Sequence, residues 1–166
     1  MRILFTGGGT GGHLFPIIAT AKKIKDLYPE AKMLFLGPNS AAFGQNQEIS
    51  LAIYQIKSKT ILSGKIRRYF SLLNIIDFFK IIIGLAQSLW HLFWFMPDVV
   101  FAKGGYASLP GALVAKLYFI PLFVHESDSI PGLANKVLGK MAKTVFISFN
   151  SSEKYFKSGK TVLTGN

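Results

Sequence analysis

Short, unbroken apolar runs recur along the chain and alternate with stretches in which apolar positions return at helical spacing. Residues 3–6, 33–36, 51–56, 99–102, 121–124, 145–149 and 161–163 read as strands. After the first of them, Ile17, Ile18, Ala21, Ile24 and Leu27 predict a helix over 14–27, ended by Tyr28-Pro29. A further helix is expected over 108–118, Pro131 is placed to open another, and 39–50 reads as a polar loop with a short helix. Strands that are apolar throughout, not alternating, are those covered on both faces. The pattern therefore predicts a Rossmann-like α/β fold, a doubly wound parallel sheet with helices on both sides.

In such sheets ligands sit beyond the carboxyl ends of the strands. That rule gathers three clusters into one crevice, residues 7–13, 103–106 and 125–128, each placed after a predicted strand. The first is Gly7-Gly8-Gly9-Thr10-Gly11-Gly12-His13. A strand that breaks into glycines and restarts as a helix presents backbone N–H groups and the positive end of a helix dipole, a seat for phosphate. A dinucleotide site would need an acidic residue at the end of the second strand, which here reads Leu36-Gly37-Pro38-Asn39. A nucleoside triphosphate loop would need Gly-Lys-Ser/Thr, which is absent. Gly104-Gly105-Tyr106-Ala107-Ser108 has the makings of a second anion cradle, or of a tight turn with Ser108 as N-cap. Lys103 would add positive charge if it faces the ligand. His13 is either a helix N-terminal residue that merely caps or a general base, and His125 and Glu126 are expected on the same crevice. Asp128 would cap the helix at Pro131 or accept a sugar hydroxyl.

The middle of the chain departs from this alternation. Five cations (Lys57, Lys59, Lys65, Arg67 and Arg68) precede a stretch, 69–96, that is apolar apart from a stripe of Asn74, Asp77, Lys80, Gln87, Ser88 and His91. One sheet face cannot cover that much apolar surface. A membrane-spanning helix needs about 18 nearly charge-free apolar residues, and the uncharged stretch 81–97 contains Gln87, Ser88 and His91. The reading adopted is a crossover helix with core on one side and a membrane interface on the other. Lys65, Arg67 and Arg68 would meet anionic head groups, and Ile75, Phe79, Ile82, Trp90 and Trp94 would enter the interface.

Composition sharpens this. The net charge is +11 over 166 residues, and the mean hydropathy of +0.36 is high for a soluble chain. Basic and apolar together point to an anionic surface. Nucleic acid is disfavoured, because the aromatics beside the cations are too densely apolar for a stacking groove. There is no cysteine, so no disulfide or thiolate site, and no Asp-x-Asp or paired-His spacing for a metal. The length fits one domain, and the first strand begins at Arg2, which makes a cytosolic protein the expectation.

Four segments, in order, resemble the MurG family: residues 7–16, 64–69, 97–106, and His125-Glu126-Ser127-Asp128 through Pro131-Gly132-Leu133-Ala134-Asn135-Lys136. The resemblance implies the N-terminal half of a GT-B glycosyltransferase. Residues 1–166 would be its acceptor-binding, membrane-associating domain, and a C-terminal donor-binding domain would be missing from this chain. The implied reaction moves N-acetylglucosamine from UDP-GlcNAc to undecaprenyl-pyrophosphoryl-N-acetylmuramyl-pentapeptide, lipid I to lipid II of peptidoglycan synthesis, with inversion at the anomeric carbon. It would occur at the cytoplasmic face of the bacterial plasma membrane, with the protein bound peripherally. The acceptor pyrophosphate would lie on Thr10, Gly11 and Gly12 and on Gly104, Gly105 and Tyr106. His13 would be the first candidate for the base and Glu126 the second, and Thr10, Gly11, Gly12 and Asp128 would also touch the donor sugar. Many family members carry Asn at the Asp128 position, and 39–48 reads less like the family. No cofactor, metal or nucleic acid is expected. Without its other half the chain is expected to be inactive; the alternative is a non-catalytic membrane-binding subunit of a split glycosyltransferase.

Overall fold

The computed structural model describes residues 1–8, 11–38, 51–65, 71 and 73–165. Its strands are β1 (Arg2–Gly7), β2 (Lys32–Gly37), β3 (Ile56–Thr60), β4 (Val99–Gly104), β5 (Leu122–Glu126), β6 (Thr144–Ile147) and β7 (Thr161–Leu163). They form one sheet in the order β3-β2-β1-β4-β5-β6-β7, parallel throughout. The helices are α1 (Gly11–Leu27), α2 (Leu73–Phe95), α3 (Leu109–Leu117) and α4 (Leu133–Met141). Short 3-10 turns occupy Tyr106–Ser108 and Asn150–Tyr155.

Alternate residues of each central strand feed opposite faces of the sheet. Ile3 and Phe5 of β1 join Met33, Phe35 and Phe101 beneath Leu14, Ile17 and Ala21 of α1. Leu4, Leu34, Val100 and Val124 face the other way, where Leu92 of α2, Ala112 and Ala115 of α3 and Leu138 of α4 cover them. Both faces are apolar and both are roofed, as the unbroken runs predict. The chain winds outward from β1 to β3, then crosses through α2 to β4 on the other side of β1. The strand order thus reverses between β1 and β4, where α/β sheets open a crevice.

Two expectations need correction. The third strand is not 51–56: residues 51–53 are helical, with Leu51 buried against the α1 side, and the strand is the polar Ile56–Thr60. As an edge strand it pairs only with β2, and Lys57 and Lys59 stay exposed, a usual guard on a free edge. The strand ends also run further than predicted, so that Lys103 and Gly104 belong to β4 and His125 and Glu126 to β5.

The larger correction concerns α2. Its inward face carries the polar stripe: Asp77, Gly84, Ser88 and Leu92 are its buried residues, Asn74, Gln87 and His91 are half-buried, and Leu85, Leu89 and Phe95 pack beside Leu92 against the core. Its outward face carries Ile75, Ile76, Phe78, Phe79, Ile82, Ile83, Trp90, Phe93 and Trp94, all exposed. The helix is held by backbone contact with residues 61–65. A Cβ on Gly84 would collide with the Leu62 carbonyl, and one on Gly64 with the Asp77 carbonyl. The Leu62 N–H donates to Gln87 Oε1 at 2.7 Å. Of the stripe, Lys80 alone turns out to solvent, 3.5 Å from Asp77. By length and composition α2 is the one described helix apolar enough to cross a membrane. Its inward face, however, is fastened to the domain.

Candidate active site

The site grows from three strand ends. Between β1 and α1 the chain passes through Gly8, whose φ of +129° is a conformation that side chains rarely adopt. α1 begins at Gly11, so Gly11 and Gly12 form its first turn and His13 follows, half-buried. β4 ends in Gly104 and leads into Gly105, with φ of +102° and +77°. A Cβ on Gly105 would lie 3.3 Å from both the Gly8 carbonyl and His13 Nε2, so the two glycine turns touch. A Cβ on Gly104 would collide with the Asn135 carboxamide from α4. Glycine suits the conformation at both positions, and at Gly104 the space as well.

The third wall is the end of β5. Glu126 is 2% exposed and both its oxygens are occupied: Oε1 accepts the Asp128 N–H at 2.8 Å, and Oε2 accepts from Asn135 Nδ2 at 2.9 Å. Asn135 Nδ2 also reaches the His125 carbonyl at 3.3 Å. Lys103 is 1% exposed, and its Nζ donates to Ser127 Oγ at 2.9 Å. Burial pulls the lysine below its ordinary pKa, while Glu126 and Asp128 oppose that shift. Asp128 is exposed and caps no helix; α4 starts at Leu133 with Gly132 as its N-cap residue. Ser108 likewise does not cap α3 with its side chain, which donates to the Gly105 carbonyl at 2.8 Å and closes the second glycine turn.

His13 Nδ1 is buried and has no hydrogen-bond partner among the described residues. Burial, then the Lys103 charge, lowers the pKa of His13, and Asp128 raises it, so the imidazole is neutral near pH 7. His125 is a different case. It lies behind the site, 9% exposed, beside Phe101. Burial and Lys103 push it down to about 4, against a hydrogen bond that the imidazole donates to the Gly165 backbone.

His13, Lys103, Gly105, Tyr106, Glu126 and Asp128 line one cleft of about 540 Å³, so the three predicted clusters converge. Lys65 lines it too, from the segment against α2. Gly104 stands just behind, against Asn135. Thr10, Arg67 and Arg68, with the loop 39–50, lie outside the described residues. Ile75, Phe79, Ile82, Trp90 and Trp94 are not in the cleft and sit on the exposed face of α2. Ser127 and Asn135 lie in the last of the MurG-like segments, with no role expected of them from the sequence, and hold Lys103 and Glu126. Asn135 had a signal: a polar residue one turn before Leu138 on the buried stripe of α4.

Two neutralising turns, the amino end of α1 and a buried lysine together suit a bound anion. A neutral imidazole beside them suits proton transfer. Among the described residues no group of acidic, histidine or cysteine side chains could hold a metal.

The sequence matches the glycosyltransferase family 28 N-terminal domain over residues 3–147. A Borreliella afzelii protein named UDP-N-acetylglucosamine--N-acetylmuramyl-(pentapeptide) pyrophosphoryl-undecaprenol N-acetylglucosamine transferase is 41% identical over 97% of this chain and 44% of its own length. A Thermoanaerobacter relative of the same name is 40% identical over 100% of this chain and 45% of its own. The chain therefore spans less than half the length of the curated relatives it matches. Among solved structures, Acinetobacter baumannii MurG superposes with a TM-score of 0.75 at 27% identity, over 99% of this chain and 44% of that one. UDP-GlcNAc 2-epimerase from Neisseria meningitidis, bound to UDP-GlcNAc, gives 0.64 at 18% identity over 100% of this chain and 46% of the epimerase, a likeness of fold. With its seven-stranded parallel sheet and its glycine-lined crevice, the chain belongs to glycosyltransferase family 28, as an N-terminal domain of that family.

Proposed function

We propose that this chain is the acceptor-binding half of an inverting glycosyltransferase that converts lipid I to lipid II at the cytoplasmic face of the bacterial plasma membrane. The observation that carries the reading is the neutral His13 set between two touching glycine turns and a buried Lys103. The acceptor's pyrophosphate is taken by those turns and the lysine. Its sugar 4-hydroxyl then attacks the anomeric carbon of N-acetylglucosamine, UDP departs with the bonding pair, and His13 takes the hydroxyl proton. Glu126 is the weaker base, because its two oxygens already accept from Asp128 and Asn135; it fixes the loop that carries Asp128. The donor nucleotide is held mainly by a second domain. The exposed apolar face of α2 holds the domain against anionic lipid, with Lys65, Arg67 and Arg68 just before it in the sequence supplying charge.

The test is transfer of labelled N-acetylglucosamine from UDP-GlcNAc to a lipid-pyrophosphate acceptor by this chain joined to a donor-binding half from a relative. Removal of a general base lowers turnover by about 10²–10⁴-fold, and His13→Ala should do so with little change in acceptor KM. Normal turnover in His13→Ala would remove that histidine from the chemistry. Glu126→Gln, which keeps the oxygen that accepts the Asp128 N–H, should lose far less.

A further inference from the structure

The cleft combines a polar lining from the strand ends, with Lys65 beside α2, and an apolar one from the helices. Away from His13 and Lys103 its walls are Ile81 of α2, Leu109 and Leu113 of α3, and Leu133 and Val137 of α4. Three of these are well exposed, Leu113 at 36%, Leu133 at 49% and Val137 at 41%, yet they line a concavity and not a convex surface. The cleft falls within the range of about 300–1,000 Å³ typical of small-molecule pockets. Lys65 stands on its wall, and Ile81 is followed directly by Ile82 of the outward face of α2. A cation and an anion cradle at one end, with a dry trough leading from it toward a lipid-facing surface, fit an amphiphile whose head is a diphosphate and whose tail is a hydrocarbon. A sugar or peptide would leave those leucines uncovered.

We propose that the trough between α2, α3 and α4 binds the first isoprene units of the polyprenyl diphosphate, so that the acceptor is gripped by its lipid as well as by its diphosphate. The inference rests on the acceptor reading above and adds a subsite to it. The tail leaves the diphosphate seat past Leu109 and Leu113, with Leu133 and Val137 opposite, and reaches the bilayer beside Ile81. Burying hydrocarbon against these side chains raises affinity in proportion to the apolar area removed from water.

The experiment is calorimetric titration of the 166-residue chain with farnesyl diphosphate and, separately, inorganic diphosphate. Farnesyl diphosphate should bind at least tenfold more tightly. Val137→Asp and Leu133→Asp, both at exposed positions, should abolish that difference while leaving inorganic diphosphate binding unchanged, and circular dichroism checks that each variant folds. Equal affinity for the two probes overturns the subsite. So does a difference that survives both variants, or one that Phe79→Asp removes instead, which would put the tail on the outward face of α2. Binding of neither probe overturns the subsite together with the diphosphate seat. A prenyl preference with these sensitivities, in a protein whose complete form transfers no sugar, would keep the trough and discard the proposed reaction.

Discussion

The central strands and α2 solve opposite problems with opposite residues. Strands β1 and β4 spend Leu4, Phe5, Val100 and Ala102 on the interior. α2 turns Asp77, Gly84 and Ser88 inward and leaves isoleucine, phenylalanine and tryptophan outside. The strands are packed by hydrophobic contact. The helix is seated by close backbone approach, through Gly64 and Gly84, and by the Leu62 to Gln87 hydrogen bond. A helix that gives its core Leu92, with Leu85, Leu89 and Phe95 packed beside it, and leaves its isoleucines, tryptophans and other phenylalanines exposed carries those for something beyond the domain. Composition within an element is therefore a poor guide to burial, and the contrast can be tested from both sides.

The largest effect is expected in the strands. Phe5 is fully buried, edge-on to Phe101 with ring centres 5.8 Å apart. Phe5→Ala should destabilise the chain by about 3–5 kcal/mol, read as a shift in the urea midpoint. A loss below 1 kcal/mol would mean that this face of the sheet is not the packed core described.

Acid should come next. The folded-state pKa of His125 is about 4, below its ordinary 6.5, because burial and Lys103 disfavour the imidazolium. A depressed histidine contributes stability that is fully present above pH 6.5 and is lost as pH falls toward 4. His13 shifts in the same direction and adds to the slope. The loss across that window should be on the order of 3 kcal/mol. His125→Gln should flatten most of it in urea titrations at pH 7.5 and 4.5. An unchanged slope in that variant would assign the acid sensitivity elsewhere.

Gly84 sharpens the contrast within one helix. Gly84→Ala improves helix propensity but sets a methyl group against the Leu62 carbonyl. Overpacking of this kind costs about 1–3 kcal/mol, so the variant should be less stable in spite of its better propensity. A stabilised Gly84→Ala would show that α2 is not seated on residues 61–65.

These cases also mark how far the fold was legible. Strands β1, β2, β4 and β5 and the meeting of their carboxyl ends followed from unbroken apolar runs, since burial on both faces leaves no other pattern. β3 did not, because an edge strand needs only one partner and its exposed Lys57 and Lys59 break the apolar run, which instead placed the strand at 51–56. The inward face of α2 was hidden because polar and small residues there are explained by a backbone that passes 13–25 residues away in sequence. That is the spacing of Gly64 to Asp77 and of Leu62 to Gln87. In the site, the glycines and His13 could be read locally. The clamp of Asn135 on Glu126 could not, since it links β5 to α4 through tertiary geometry alone.

The smallest effect on stability tests the other half of the comparison. Trp90 and Trp94 are 62% and 66% exposed and pack edge to face, 5.6 Å between centres, on the outer side of α2. Indole rings favour the boundary between head groups and hydrocarbon, where their N–H meets water and their body does not. Replacing both with Ser should alter folding stability by under about 0.5 kcal/mol, the usual scale for surface changes. Binding to anionic vesicles is the sensitive readout. Sedimentation with phosphatidylglycerol liposomes at low salt should fall severalfold in the double variant, whereas Phe5→Ala should leave it intact at temperatures where that variant is folded. A double variant that unfolds readily would mean that other parts of this chain cover the tryptophans. One that is stable and still sediments would take the membrane contact away from this end of α2 and leave it to the Ile75, Phe79 and Ile82 end.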